Sequence, residues 1–111
     1  MKKVNRITSN EDFAKIIHST KPVRNECFLV YGKINNLGFG RVGLSVSKKL
    51  GKAIVRNKIK RQVRAICDEL INYSNFTYDV VIIVRAPFLN YEFCKLKTKL
   101  SEILESIGKN K

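Results

Sequence analysis

Two hydrophobic periods alternate along the chain, one near 3.6 residues and one near 2. Ser9-Asn10-Glu11-Asp12 resembles a capping box, with an acidic residue three positions after Ser9. Phe13, Ile16 and Ile17 follow at helical spacing, which predicts a short helix from Asn10 to His18 ended by Lys21-Pro22. Glu26 to Ile34 is rich in β-formers, and Asn35-Asn36-Leu37-Gly38 reads as a turn. From Phe39 to Ser47 the pattern alternates: Val42, Leu44 and Val46 point one way, and Arg41, Gly43, Ser45 and Ser47 the other. These two runs read as an antiparallel hairpin. The second has an aliphatic face for a core and a face of small side chains that would let a ligand lie close to the backbone, or would be an ordinary solvated face.

A second helix is expected from Lys52 to Asn72. At about 100° per residue, Val55, Ile59, Val63, Ile66, Cys67 and Leu70 fall within an arc of roughly 120°, a core stripe. The basic residues sweep the rest of the helix. Asp79 to Arg85 is a β-branched run apolar on both faces, the mark of a central buried strand, and Ala86-Pro87 stops it. Asn90 is a candidate cap for a last helix with Phe93, Leu96, Leu100, Ile103, Leu104 and Ile107 as its buried stripe. The order α-β-β-α-β-α, with room for one strand broken in two, predicts an α+β sandwich with helices packed on one sheet. Residues 1–111 read as a single domain, with residues 1–8 as an extended basic arm.

Charge changes this picture from a generic fold to a binding surface. The chain has 22 Lys and Arg against nine Asp and Glu, a formal net charge of +13. Residues 27–67 hold ten of those cations and no acid, whereas residues 68–111 hold six of each. Such a concentration is the footprint expected for a polyanion. The second helix is also charged the wrong way round for its own stability, with bases at its N-terminal half and Asp68 and Glu69 near its C-terminus. Each misplaced charge costs roughly 0.3–1 kcal/mol at low salt. An anion at the N-terminal half would reverse that cost.

Catalytic motifs are missing. His18 is the only histidine, and no P-loop, GxSxG, HExxH or CxxC occurs. Cys27, Cys67 and Cys94 are an odd, widely spaced set that reads as free thiols with no disulfide partner, as in a reducing cytoplasm. No signal peptide and no apolar run long enough to span a bilayer is read, so no membrane partner is expected. Candidate phosphate contacts are Lys48, Lys49, Lys52, Arg56, Lys58, Lys60, Arg61 and Arg64, and Phe13 and Tyr31 are either core residues or stacking surfaces for bases.

The stretch Gly43-Leu44-Ser45-Val46-Ser47-Lys48-Lys49, followed by Leu50-Gly51-Lys52-Ala53-Ile54-Val55-Arg56-Asn57-Lys58-Ile59-Lys60-Arg61, closely resembles the bacterial ribonuclease P protein component. The likeness extends to Arg6-Ile7, Asn10 through Phe13, Tyr31, and Asp79 through Pro87. It implies a cytoplasmic subunit of a ribonucleoprotein in which a catalytic RNA, with Mg2+, removes the 5′ leader of precursor tRNA. The protein then contributes no catalytic residue and binds that RNA and the leader. The resemblance also implies a fold like the second domain of ribosomal protein S5, with a left-handed βαβ crossover, where chain chirality alone predicts a right-handed one.

By position, the resemblance places Arg56, Asn57, Lys60, Arg61 and Arg64 on the catalytic RNA, flanked by Lys48, Lys49 and Lys52. Asn57 is implied to order a hydrated magnesium, directly or through water. The resemblance also implies that Phe13, Tyr31 and Ser45 line a cleft for the leader, with Arg85 beside it. Lys58 departs from the family's second arginine and loses the planar fork for phosphate. Ile17 stands where some members carry a second cleft aromatic. A ribosomal or general RNA-binding structural protein is the competing reading, and a free-standing endonuclease a third.

Overall fold

The computed structural model describes residues 2–109. Helix α1 spans Asn10–Ser19, and the Ser9 hydroxyl accepts a hydrogen bond from the Asp12 N–H at its start, as the capping pattern predicts. Strands β1 (Val23–Arg24), β2 (Phe28–Ile34) and β3 (Arg41–Val46) follow. After them come α2 (Ala53–Leu70), β4 (Tyr78–Val84) and α3 (Phe93–Lys109). The domain is α+β, with one four-stranded mixed sheet in the order β1-β2-β4-β3.

The hairpin expectation is corrected. β2 and β3 do not pair, because β4 lies between them, antiparallel to β2 and parallel to β3. The reason is burial: β4 is apolar on both faces and buried along almost its whole length, which the centre of the sheet provides, whereas β3 with its polar face tolerates an edge. The break expected in one hairpin strand appears as β1, which pairs with β2 through Val23↔Val30 and Arg24↔Leu29.

The sheet separates two apolar layers. Val30, Val42, Val80, Ile82 and Val84 face Ile59, Val63 and Ile66 of α2 and Leu96, Leu100 and Ile103 of α3. On the other face Ile16 of α1 and Ile7 bury Val81, with Phe13, Ile17, Tyr31 and Ile83 packed around them. Most of the expected helix stripes are buried as read. Leu70, Phe13 and Ile17 are partly buried, and two residues are exposed: Val55 and Phe93, in the first turns of α2 and α3, at 38% each. Helix α2 also ends two residues early, at Leu70, with Ile71 already extended.

Asn90 does not cap α3. It closes the 3-10 turn Ala86–Asn90, and the Leu96 N–H donates to the Glu92 carbonyl as the helix begins. The described part of the segment read as an extended basic arm lies against β3. Lys3–Asn5 form a 3-10 turn, the buried Asn5 amide donates to the Gly40 carbonyl at 2.8 Å, and the Ile7 N–H donates to Val42, so this segment covers part of the exposed edge of β3.

Candidate nucleic-acid interface

Ser47 and Gly51 bracket the entry to α2. The Ser47 hydroxyl accepts from the Lys49 N–H at 3.2 Å, which folds Lys48–Leu50 into a 3-10 turn. Gly51 follows with φ of 144°, a conformation that a side chain would strain. This turn presents Lys48, Lys49 and Lys52 as exposed cations just before the helix. The helix itself starts without a side-chain cap and with no acid in its first turn, so its amino end carries only positive charge.

The cations of α2 divide into two sets. Asn57, Lys58 and Arg61 are exposed and lie on one outward stripe, with Ile54 at its start. Lys60 and Arg64 are half-buried on the flank that turns toward the edge of β3. There they line a cavity of 410 Å³ together with Arg6, Phe13, Leu44 and Ser45. Arg56 is also half-buried, and its buried Nε has no acceptor among the described residues. Among the described residues, no Lys or Arg from 48 to 64 forms an ion pair, while Lys15, Arg41, Lys97 and Lys99 all do. The protein leaves the charge of this surface unneutralised.

The expected cleft residues are not all in one place. Phe13 and Ser45 share the cavity with Lys60 and Arg64. The ring of Phe13 lies directly over Gly43, where an added Cβ would come within 2.6 Å of its Cζ. The absence of a side chain at Gly43 therefore makes room for Phe13 rather than for a ligand. Tyr31 and Ile17 are half-buried in the small apolar layer around Val81. Arg85 is exposed at the end of β4, and its guanidinium donates to the Asn25 carbonyl at 2.7 Å. Arg6, Thr8 and Asn10 line the cavity too, and sequence reading placed none of them in a site. The signals for Arg6 were the basic character of its segment and the family likeness that reaches Arg6-Ile7.

Asn57 offers one exposed neutral amide among cations, which is too little to hold a magnesium ion in a protein cage of oxygen ligands. It fits a contact to a hydrated ion whose charge is balanced elsewhere. Among the described residues, no group of three or more His, Cys, Asp and Glu side chains could hold a metal ion. No described helix is long and apolar enough to cross a membrane.

Comparison with known proteins converges on one family. The family model described as Ribonuclease P matches residues 1–108. The ribonuclease P protein component of Mycoplasma mycoides is 38% identical over 108 residues, covering 96% of this chain and 99% of that protein. The Listeria innocua protein of the same name is 41% identical over 106 residues, covering 95% and 89%. The structure of the Staphylococcus aureus RNase P protein superposes with a TM-score of 0.82 at 34% identity, covering 95% of this chain and 96% of that one. The Thermotoga maritima RNase P protein gives 0.78 at 32% identity, covering 91% and 96%. The unpaired cationic helix, the sheet that carries it and these likenesses agree: the chain belongs to the ribonuclease P protein component family.

Proposed function

We propose that this chain is the protein subunit of a cytoplasmic ribonuclease P holoenzyme and acts by binding two RNAs. The outward stripe of α2, with Asn57, Lys58 and Arg61, and the preceding Lys48, Lys49 and Lys52 hold the phosphates of the catalytic RNA. The 5′ leader of precursor tRNA lies across the cavity shared by Phe13, Ser45, Lys60 and Arg64, and Arg56 joins the cations that meet the catalytic RNA. Tyr31 and Ile17, packed with Phe13 around Val81, and the exposed Arg85 are taken as further leader contacts. One observation carries this reading: among the described residues, no Lys or Arg from 48 to 64 forms an ion pair.

In this reading the chain contributes no catalytic group. The RNA performs the magnesium-dependent cleavage that creates the mature tRNA 5′ end. The cations of α2 screen repulsion between the two RNAs, which raises affinity for substrate and for the metal ions the RNA holds. In this reading Asn57, a single neutral amide, meets such an ion through its hydration shell.

The test is reconstitution. Purified chain is added to a bacterial ribonuclease P RNA and precursor tRNA at low magnesium, and 5′ cleavage is followed. Stimulation that depends on a leader of several nucleotides is expected. No stimulation sinks the proposal. Cleavage by the chain without RNA would favour a free-standing nuclease, and RNA binding without stimulation a structural role.

A further inference from the structure

Ile54 is the most exposed large apolar side chain of the described residues, at 83%, and it belongs to neither core layer. A single exposed aliphatic residue needs no explanation by itself. Its surroundings set this one apart. Ile54, Asn57, Lys58 and Arg61 occur at i, i+3, i+4 and i+7, so they form one exposed stripe on α2. Every other large side chain of that stripe is polar or cationic.

Helix stability does not account for isoleucine here. A β-branched residue is a poorer helix former than Lys, Arg or Ala at an exposed position. Charge alone does not account for it either, because a cation would serve phosphate better. Phosphate has no surface that would desolvate a branched aliphatic side chain. The face of a nucleobase does, and unstacked bases are the usual target of sequence-tolerant contacts to RNA.

We infer that Ile54 packs against the face of an unstacked base of the bound RNA, while Lys58, Arg61 and Lys52 hold the phosphates on either side. The inference rests on the proposed function and adds a mode of contact to it: an apolar anchor within the cationic stripe. The partner is RNA with an accessible base, not a polyanion in general.

Heparin supplies a probe with dense negative charge and no bases. Binding of the full chain to a bacterial ribonuclease P RNA and to heparin is measured for wild type, Ile54→Ala, Ile54→Leu and Ile54→Lys across a salt series, with thermal unfolding as a check on folding. Ile54→Ala is expected to weaken RNA binding about five- to tenfold and leave heparin binding unchanged. Ile54→Leu stays within about twofold of wild type for RNA. Ile54→Lys weakens RNA binding despite its added charge, yet tightens heparin binding. Tighter RNA binding by Ile54→Lys, with a salt slope steeper by about one contact, overturns the inference and leaves the proposed function standing. Equal losses for RNA and heparin in Ile54→Ala overturn it as well, because they show a structural role. Wild-type protein that binds no RNA removes the proposed function and the inference together.

Discussion

Arg41 and Asp79 are partners across the β3–β4 pairing and are joined by two hydrogen bonds, Nε to Oδ1 at 2.9 Å and Nη2 to Oδ2 at 2.6 Å. The Asn35 amide donates to the same carboxylate at 2.7 Å, and Asp12 of α1 lies 3.7 Å from the other guanidinium nitrogen. This cluster locks the β2–β3 loop, both strands and the start of α1 together. It also removes Arg41 from the cations available to RNA. Asp79→Asn leaves the mostly buried guanidinium without its main partner and is expected to destabilise the fold by about 2–3 kcal/mol. Arg41→Lys keeps the charge but loses the fork and should cost less. Urea denaturation midpoints at constant slope measure both.

The same carboxylate sets an acid limit. Burial alone would raise the Asp79 pKa, but the Arg41 and Asn35 hydrogen bonds and the Arg41 charge outweigh it and hold it below the usual carboxylate value. A depressed folded pKa stabilises the fold above the unfolded value, and this stabilisation is lost as pH falls through the folded one. Wild type should therefore lose stability progressively below about pH 4, where unfolded aspartates begin to protonate. Asp79→Asn should be less stable at neutral pH and flatter over that acid range. An unchanged acid slope in the variant would show that Asp79 carries none of it.

Phe13 owes its position to Gly43. An added Cβ would meet the Phe13 ring at 2.6 Å and Ile7 Cβ at 3.2 Å. Gly43→Val is expected to cost about 1–3 kcal/mol through overpacking and to displace α1 from the cavity. Phe13→Ala removes the ring that clashes. In a double-mutant cycle, Gly43→Ala should therefore be milder in the Phe13→Ala background than in wild type. Additive losses would mean that the two residues do not share that space.

The two sets of cations on α2 should separate functionally. Lys60→Ala with Arg64→Ala is expected to reduce the benefit of the leader on precursor tRNA binding. Lys58→Ala with Arg61→Ala is expected to weaken catalytic RNA binding and flatten its salt slope by about one to two units. The measurement is holoenzyme affinity for substrates with and without a leader, beside protein–RNA affinity across a salt series. Identical effects from the two pairs would show that the helix acts as one undivided patch.

The three thiols should differ in reactivity. Cys94 is exposed on α3, whereas Cys27 and Cys67 are buried. Burial pushes the Cys67 thiol up to about 12, and burial followed by the Glu26 charge raises Cys27. The thiolate is the reactive form, so native protein should alkylate once, at Cys94, and at the other two only after unfolding. Peptide mapping after brief maleimide treatment reads this directly.

Much of the site was legible because helical periodicity tests itself over many residues. The stripe of Ile59, Val63, Ile66 and Cys67 assigns one side of α2 to the core, and every cation must then lie elsewhere on the helix. Phe13 was ambiguous for a physical reason: it is half-buried over Gly43 and also lines the cavity, so packing and contact are both true of it. Arg6 was hidden because its place depends on the Asn5–Gly40 and Ile7–Val42 hydrogen bonds, which join segments about 35 residues apart.

What the sequence alone determined is what repeats locally: the helix faces, the doubly apolar β4, the acid-free cationic segment and the family to which its motifs point. The tertiary structure decided which neighbours those elements keep. β4 could enter between β2 and β3 only because burying both of its faces outweighs the short connection that favours a hairpin. That insertion leaves β3 at the edge, where α2 and the N-terminal segment meet it and Lys60 and Arg64 come together with Phe13 and Ser45. Periodicity reports which face of an element is apolar. It does not report what lies against that face, because pairing and packing are settled by competition among segments distant in the chain.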